Sequence, residues 1–557
     1  MYSATRATAT RATAARATAR ERIKTKLIYS DFYALITDSS VVWWGVMVER
    51  KFVWATLSIA SLATFIIVID SFFLNVAITT LVRDLHTTVE VIQGIIAAYA
   101  LTMACLMLLG AKLQNILGRK KTFLYGAFIY GVGTTIAALS LNAPMLLFGW
   151  SLLEGCGAAL MLPATAAFIS GTYEGDERAF AFGIWVAIGS VAATVGPLLG
   201  GFLTTFLSWR VGFGLEAVIV VVIFAYSGRL TEAPPTIGWH DLDVVGVALS
   251  AAGFFLIVAG MLLLNNLSAW GIVPILVGAG LLLLAFFALW QRRRMRHGQA
   301  PLTDISLFRK STYSAGNMAN LILRLGLAGT LFILPVFLQA VAGLSAFMTG
   351  VAFVPLTVAL LVFSLSSARL SARIAPRYLV PLGFLVALSG SILLRGVFSL
   401  NTQIVDIFPG TILIGVGLGL SLGPLNNIIL SSASDAQQAD ASGVVNTTTN
   451  LGNALGTAVI GVLLLVSIYA ALGPAVQKAY PGQVTAQDVK AQLPAWVHTL
   501  KTTNLQVAKG EKNTATQIVN NTVSAAMQHA VDGISVFLFA GFLVSLFIGR
   551  GRAAPTH

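Results

Sequence analysis

Charged residues are few in this sequence. Only 10% of its 557 residues are Asp, Glu, Lys or Arg, while 57% are hydrophobic, and the mean hydropathy is +0.83. Soluble domains contain about 25% charged residues, so a water-soluble fold of this composition would have too little polar surface to cover its core. The composition instead indicates a protein that lies in a lipid bilayer.

Cysteine and histidine are also scarce. Cys105 and Cys156 both lie inside apolar runs, and the six histidines are scattered without ligand spacing on a helix. We therefore expect no disulfide framework, no metal site and no bound cofactor. The sequence contains no nucleophile elbow, phosphate-binding loop or soluble domain able to hold an active site, so it does not indicate an enzyme.

The net charge of +13 comes from Lys and Arg that cluster in short gaps between apolar runs. The positive-inside rule explains this pattern. No basic surface with interleaved aromatic residues supports nucleic-acid binding. The expected partner of these charges is the lipid bilayer and not a nucleic acid.

Residues 1–46 differ in composition from the rest of the chain. They begin with the low-complexity tract MYSATRATATRATAARATARERIKTK and lack the apolar region of a signal peptide. Met47 opens a short charged stub followed by an apolar run, which is typical of the start of a polytopic membrane protein. We expect residues 1–46 to be a disordered extension or an over-long start without a role in function.

About fourteen apolar runs have the length of a membrane helix, about 20 residues. They begin near Val53, Val91, Thr122, Pro144, Phe180, Val211, Val244, Gly271, Ser314, Met348, Leu379, Ile407, Gly443 and Ala530. The sequence therefore predicts an all-α polytopic membrane protein. A long polar loop is expected at 471–529.

Positive charge marks one side of the membrane. The gaps after even-numbered spans contain GRKK at 118–121 and QRRRMRH at 291–297, whereas LSAW at 267–270 and VAGLSAF at 341–347 carry no charge. This asymmetry predicts that both termini are cytoplasmic and that 471–529 is external. The expected location is the cytoplasmic membrane of the cell.

Two short motifs lie in the first half of the chain. The gap after span two reads GAKLQNILGRKK, in which Leu113, Gly118, Arg119 and Lys120 fit the pattern Gly-x-Leu-x-Asp-x-x-Gly-Arg-Lys, with Asn115 at the Asp position. Alone, this is also what an ordinary basic loop looks like.

The second motif lies in span five, where VGPLLGGFL contains Gly196, Pro197, Gly200 and Gly201. Proline bends a helix, and glycines let a neighbouring backbone come close. Ordinary small-residue packing is the alternative interpretation. In this order, the two motifs resemble the loop signature and the antiporter signature of the major facilitator superfamily.

Two further stretches narrow the resemblance. In span one, Asp70 is followed by Asn75 and Ala77, and span thirteen reads ASGVVNTTTNLGNALGTAVIG. Both are similar to the fourteen-span drug:proton antiporter branch (EmrB/QacA type). The resemblance covers roughly residues 50–550.

The resemblance implies two six-helix bundles, residues 47–229 and 314–550, joined by two extra helices within 244–291. It places residues 292–313 in a basic cytoplasmic loop and 551–557 in a cytoplasmic tail. It implies export of lipophilic drugs in exchange for protons, with the proton gradient as the energy source.

The departures from the family pattern matter for mechanism. In span four the family has Arg-x-x-Gln-Gly, whereas this chain has Ser151 and Glu154 at the aligned positions before Gly155. In span thirteen an Arg-Gln pair is replaced by Thr449-Asn450, and in span six a common Asn is Glu216. The chain has lost intramembrane arginines and gained carboxylates.

Several of these polar groups are expected to meet near the middle of the membrane. At 1.5 Å per helical residue, Asp70, Glu154 and Arg324 each lie roughly 15–18 Å from a span end. A charged group in hydrocarbon costs at least about 2.5–3.5 kcal/mol and normally faces a cavity and a partner. In the superfamily, spans one, four, nine and twelve line the central cavity.

We therefore expect Asp70 and Glu154 to couple to protons while sharing Arg324. The substrate cavity is expected to include Arg324, Asn426, Asn427, Asn75, Asn446 and Asn450. Burial favours the neutral form of a carboxyl group, and a nearby arginine favours the ionised form. As alternatives, Asp70 can serve to lock two helices, Glu154 can be a structural hydrogen-bonding group, and the asparagines can hold helices together. Glu216 is expected at the membrane interface.

The substrate itself is not named by any feature of the sequence. An endogenous metabolite such as an antibiotic, a lipid or a siderophore is the alternative to a drug, and a channel or receptor is the alternative of another class. We expect a monomer, with accessory export proteins as possible partners.

Overall fold

The computed structural model describes residues 40–548 except 174, 231, 233–234, 236–237, 264–268, 372, 400–401, 434–436 and 480–508. The chain divides into two units, 1–55 and 56–557, and all contacts below belong to the second. The expectation for residues 1–46 falls almost entirely outside the described residues, as does the 551–557 tail. Within the described ranges the chain is helical, without a β-strand.

The helices run in chain order from α1 to α16. Those of the first half are α1 Ser40–Phe73, α2 Ile78–Asp84, α3 Val89–Leu117, α4 Arg119–Ala138, α5 Ala143–Leu146, α6 Gly155–Thr172, α7 Gly175–Phe206 and α8 Trp209–Tyr226. The middle of the chain contains α9 Val244–Leu263 and α10 Val273–Arg296. The second half contains α11 Ser311–Ala340, α12 Ala346–Ser371, α13 Pro376–Arg395, α14 Phe408–Ser431, α15 Gln438–Ala479 and α16 Lys509–Ser545.

The predicted spans are all present as helices. Among the described residues, 13 helical stretches are long and apolar enough to cross a membrane. The fourteenth is α4, whose 20 residues span about 30 Å. It is less apolar because glycine, threonine and tyrosine replace aliphatic residues along it. The all-α fold with about fourteen membrane helices is confirmed.

The expected 471–529 loop is only partly a loop. Helix α15 continues to Ala479, and α16 already begins at Lys509, although its apolar stretch begins at Asn521. Both helices therefore extend beyond their apolar stretches, Asp440–Ile468 and Asn521–Ser545. Hydropathy locates an apolar stretch, but it does not locate the end of a helix.

Helix packing follows the order of the two halves. In the first half, α4 packs on α6 and α8, and α3 packs on α6; in the second, α14 packs on α12 and α13, and α11 packs on α15 and α16. Helices α9 and α10 pack on each other, and α9 also contacts α3 and α15. We call α1–α8 the N-terminal bundle and α11–α16 the C-terminal bundle.

Among the described residues, three helix pairs make the main helix-to-helix contacts between the bundles. Helix α7 packs on α12, α3 on α15, and α11 on α2. The Gln93 amide of α3 donates to the carbonyl oxygens of Thr457 and Ala458 of α15, at 2.9 and 3.2 Å. The Gln339 amide of α11 donates a 2.6 Å hydrogen bond to the Val76 carbonyl oxygen. The Thr79 hydroxyl of α2 donates to the amide oxygen of the same side chain.

Candidate functional site

Asp70 is fully buried in α1 and held by a single hydrogen bond. The indole N–H of Trp150 donates to its Oδ2 at 2.7 Å, while Oδ1 has no hydrogen-bond partner. One turn further on, α1 tightens into a 3₁₀ segment at Leu74–Ala77, and the Asn75 amide donates back to the Ser71 carbonyl at 2.8 Å. Asp70 is therefore directed into the bundle beside a break in its own helix.

Glu154 ends a π-helical segment, Leu147–Glu154, between α5 and α6. A π segment re-aims its side chains and is frequent at functional sites. Close packing of glycines permits it here: an added Cβ at Gly149 would lie 3.0 Å from the Gly133 carbonyl oxygen of α4. The Glu154 side chain is fully buried, and neither carboxylate oxygen has a hydrogen-bond partner.

A third carboxylate, that of Glu216 on α8, lies beside Asp70 and Glu154. Its Oε2 accepts hydrogen bonds from the Tyr130 hydroxyl at 3.0 Å and the Thr134 hydroxyl at 3.4 Å, both on α4. One oxygen each of Asp70, Glu154 and Glu216 lies within 4.8 Å of the others. We call these three residues the acid triad. Packing of α8 on α4 buries Glu216 to 5% exposure beside Asp70 and Glu154, and its expected place at the membrane interface stays a prediction.

An aromatic layer encloses the acid triad. The Tyr99 ring of α3 stacks on Trp150 with ring centres 5.0 Å apart, and Phe213 of α8 packs edge-on to Trp150 at 6.3 Å. Both rings fix the indole that holds Asp70. The three acids are themselves buried, with at most 5% exposure, which strengthens every charge interaction among them.

Three ionised carboxylates cannot coexist in this arrangement. Two unit charges 4.8 Å apart repel by about 3.5 kcal/mol even at an effective dielectric constant of 20. The triad has three such pairs, and burial adds a desolvation penalty for each ion. At least one carboxylate must therefore bind a proton or another cation.

Arg324 does not join the acid triad. It lies on α11 at the contact with α15, where an added Cβ at Gly452 would come 2.8 Å from its Cβ. The ion pairs among the described side chains do not include Arg324, and its Nε has no hydrogen-bond partner. The structure therefore does not show the expected sharing of Arg324 by Asp70 and Glu154, and the role of Arg324 in the substrate cavity stays a prediction.

The asparagines expected in the cavity are dispersed. Asn75 is buried in the N-terminal bundle, and Asn450 is buried in α15, where its amide donates to the Asn446 carbonyl at 3.0 Å. On α14, Asn426 is half-buried with an unpartnered Oδ1, and Asn427 is exposed. Asn75 and Asn450 thus bond back to their own helices. Their role in substrate binding stays a prediction.

The comparison with protein families decides the identity of the fold. The family model described as "Major Facilitator Superfamily" matches residues 60–241 and 244–457. The chain belongs to the major facilitator superfamily. It is therefore a multi-pass membrane transporter of small molecules and not an enzyme.

The two superfamily motifs have clear structural positions. Gly118 ends α3 with φ of +89°, a conformation that favours glycine. Arg119 Nη1 donates a 2.8 Å hydrogen bond to the Ala167 carbonyl oxygen of α6. In α7, Gly201 abuts the Ala346 carbonyl of α12, so the glycine motif lies where the two bundles meet. The gating and antiport roles of these motifs stay predictions.

Several curated relatives in the superfamily resemble this chain over most of its length. The puromycin resistance protein pur8 of Streptomyces alboniger is 30% identical over 424 residues, covering 75% of this chain and 81% of that protein. The probable actinorhodin transporter of Streptomyces coelicolor is 29% identical over 428 residues, 74% and 72% of the two chains. The multidrug efflux pump LfrA of Mycolicibacterium smegmatis is 27% identical over 413 residues, 74% and 80%.

A solved structure supports the fold. The inward-facing, unoccupied crystal structure of a bacterial homolog of the human lysosomal transporter Spinster aligns with a TM-score of 0.59. It covers 91% of this chain and 99% of that chain at 15% sequence identity. At that identity the likeness concerns the fold alone.

Sequence reasoning missed the partners of the acids. Trp150 precedes Glu154 by four residues, and Tyr130 precedes Thr134 by four, so each pair shares a helix face. A buried Trp or Tyr normally hydrogen-bonds, so a Trp or Tyr inside an apolar run is a usable signal of a polar partner on a neighbouring helix, as Trp150 is for Asp70 and Tyr130 for Glu216. Glu216 is also an acid inside a predicted span. Such a residue is a candidate for a functional site by default, so its membership in the site could have been expected.

Proposed function

We propose that this transporter exports lipophilic small molecules in exchange for protons, and that the acid triad binds the coupling proton. The observation that carries this proposal is the burial of three carboxylates within 4.8 Å of one another. Such a group must take up positive charge to stay buried. The relatives named for puromycin resistance and multidrug efflux support export as the direction.

The three acids have unequal freedom to exchange a proton. Asp70 is anchored by Trp150, and Glu216 by Tyr130 and Thr134. Glu154 lacks any hydrogen-bond partner. Glu154 is accordingly the group that gains and loses the proton, while Asp70 and Glu216 set the local charge that makes protonation favourable.

Coupling requires that protonation favours one of two conformations. A ligand shifts such an equilibrium only by binding the two states differently. Neutralising the triad removes its internal repulsion and its need for a positively charged or polar partner. In the proposed cycle a proton arrives from outside, the bundles rock about their contacts, and a substrate leaves. In this proposal the protein works as a monomer in the cytoplasmic membrane with both termini inside.

The test uses purified protein in proteoliposomes with ethidium as the transported dye. An imposed pH gradient should drive dye movement in one direction and a measurable proton flux in the opposite direction. Glu154→Gln should reduce this gradient-driven transport by about tenfold or more, with Asp70→Asn and Glu216→Gln also impaired. Asp532→Asn, in a surface ion pair with Arg395, is the matched control and should transport normally.

Two results would refute the proposal. One is unchanged gradient-driven transport in the Glu154→Gln and Asp70→Asn variants. The other is dye movement that shows no saturation and no exchange, which would indicate a channel.

Export of a self-made antibiotic is the second candidate. It is supported by relatives named as a probable actinorhodin transporter, a tetracenomycin C resistance and export protein and the cephamycin export protein CmcT. A susceptibility panel with and without the gene, repeated with a proton uncoupler, separates the candidates. Protection against dyes and unrelated drugs supports multidrug export, and protection confined to one antibiotic class supports the dedicated exporter.

A further inference from the structure

Arg324 lies deep within a membrane helix without a partner of opposite charge. Helix α11 runs from Ser311 to Ala340, so Arg324 lies about 20–24 Å from its two ends. The five ion pairs between described side chains all involve other residues, and the Arg324 Nε is buried without a hydrogen-bond partner. A guanidinium is not deprotonated in proteins. The C-terminal bundle therefore keeps a positive charge at this depth.

The polar groups on the same face of α11 are neutral. Asn317, Asn320 and Arg324 follow one another at spacings of three and four residues, which puts them on one side of the helix. The Asn320 amide donates to the Thr449 hydroxyl of α15 at 2.9 Å, and the Thr448 hydroxyl donates to Asn317 Oδ1 at 3.3 Å. The Oδ1 of Asn320 has no hydrogen-bond partner. Amides and hydroxyls solvate a guanidinium, but they do not neutralise its charge.

Close packing on α15 fixes the stem of Arg324. An added Cβ at Gly452 would lie 2.6 Å from the Leu321 carbonyl oxygen and 2.8 Å from the Arg324 Cβ. The arginine as a whole is half-buried, and a charged residue at this depth faces the bundle interior or a cavity. Leu321 beside it packs against the apolar cluster that contains Leu451 and Ala454. The guanidinium is thus a fixed cation with apolar neighbours.

We propose that Arg324 binds the acidic group of a transported compound, so that lipophilic organic acids are a substrate class of this transporter besides cationic dyes. A buried charge normally requires an opposite charge, and the polar neighbours of Arg324 are neutral, so the ligand supplies it. The planar guanidinium presents paired N–H donors that match the oxygens of a carboxylate or sulfonate. The leucines beside it offer apolar contact to the rest of such a molecule, which a free inorganic anion would not use.

The inference rests on the proposed export function and adds a substrate class to it, but binding can be measured apart from transport. Purified full-length protein in detergent is titrated with 1-naphthalenesulfonate, with its neutral analogue 1-naphthalenesulfonamide and with the cation 1-naphthylmethylamine, and its melting temperature is recorded. The sulfonate should stabilise the protein at concentrations about tenfold lower than the sulfonamide, because a charged partner strengthens the hydrogen bonds of the guanidinium. Sodium chloride and sodium phosphate at equal ionic strength test for a site that takes free anions.

Variants assign the binding to Arg324. Arg324→Met removes a buried charge that has no partner, so without ligand it should melt no lower than wild type, and it should lose the preference for the sulfonate. Arg324→Lys keeps the charge without the planar fork and should retain a weaker preference. Arg395→Met is the matched control, because Arg395 is in a surface ion pair with Asp532, and it should bind the sulfonate as wild type does.

Proteoliposomes then show whether the bound acid is carried. A sulfonate stays ionised, so 1-naphthalenesulfonate does not cross lipid in a neutral form. A pH gradient should drive its transport by wild-type protein. Arg324→Met should lower the rate for the sulfonate relative to the rate for ethidium by about tenfold or more.

Four results would overturn the inference: equal stabilisation by sulfonate and sulfonamide, stabilisation by chloride or phosphate as strong as that by the sulfonate, a sulfonate preference that persists in Arg324→Met, or an Arg324→Met protein that melts well below wild type without ligand. Binding of the sulfonate without its transport, in a protein that carries ethidium, would also refute the substrate assignment. Each of these leaves proton-driven dye export intact. Sulfonate binding at Arg324 in a protein that fails to carry ethidium would support the site and refute the proposed function.

Discussion

The indole N–H of Trp150 donates a 2.7 Å hydrogen bond to Oδ2 of Asp70 inside the N-terminal bundle. This bond joins α1 to the π segment Leu147–Glu154 and places Asp70 within reach of Glu154. Oδ1 of the same carboxylate has no hydrogen-bond partner.

Trp150→Phe should therefore destabilise the protein and disorganise the triad. Loss of a hydrogen bond to a buried acidic group costs about 1.5–3 kcal/mol, seen as a lower melting temperature in detergent. The control is Trp209→Phe, whose indole donates a longer, 3.2 Å bond to the less buried Asp84. An equal loss in both variants would show that ring packing, and not the Asp70 bond, is what matters.

Tyr130→Phe should affect Glu216 in the same way. The Tyr130 hydroxyl donates at 3.0 Å to Oε2, and Thr134 donates at a longer 3.4 Å. Removing the shorter bond should lower stability by about 1–3 kcal/mol and slow gradient-driven transport. Tyr125→Phe on the same helix is the control, since Tyr125 is 57% exposed. Identical melting temperatures and transport for the two variants would contradict this role.

The glycine motif of α7 should control how the bundles meet. A methyl group at Gly201 would collide with the backbone of Ala346 and Phe347 on α12, whereas one at Gly214 would meet nothing within 4 Å. Overpacking costs about 1–3 kcal/mol, so Gly201→Ala should melt at a lower temperature and transport more slowly. Gly214→Ala has the same gain in helix propensity without a collision, so it should be at least as stable as wild type and transport normally. Equal behaviour of both variants would rule out close packing as the function of the motif.

Asp304 should make stability depend on pH. Burial raises the pKa of Asp304, but hydrogen bonds from Ser306 and Gln437 and attraction to Lys310 outweigh it, so its pKa lies below the ordinary value. A carboxyl with a lowered folded-state pKa stabilises the fold above its unfolded pKa of about 3.9. This stabilisation is lost as the pH falls through the lower, folded value.

The measurement compares melting temperatures of wild type and Asp304→Asn across that range. Wild type should be the more stable protein above about pH 3.9, and the difference should vanish at lower pH. Gln437→Ala removes one donor and should reduce the difference part of the way. A difference that is constant with pH would show that the charge of Asp304 is irrelevant.

The sequence predicts the fold well and the site only in part. The spans can be predicted from composition, because in lipid each helix must form its backbone hydrogen bonds within itself. The meeting of Asp70 with Glu154 followed from estimated depth. Depth does not report the rotation of a helix about its axis. A similar depth therefore could not show whether Arg324 faces the acids. The π segment that turns Glu154 inward depends on close glycine packing with α4, a tertiary contact that no local pattern reveals.

Gln339 should act as a latch between the bundles. Its amide donates to the Val76 carbonyl at 2.6 Å, and its side chain also hydrogen-bonds Thr79. If the bundles rock during transport, this contact must open. A Thr79→Cys, Gln339→Cys pair should therefore stop transport when a short bis-methanethiosulfonate reagent bridges the two thiols, and a reductant should restore it.

The two native cysteines, Cys105 and Cys156, make this experiment clean, because serine replacements give a cysteine-free background. Each single cysteine variant is a control and should retain transport after treatment with the same reagent. Full transport by the cross-linked double variant would mean that α11 and α2 stay together through the cycle. The moving contacts would then have to be those of α7 with α12 or α3 with α15.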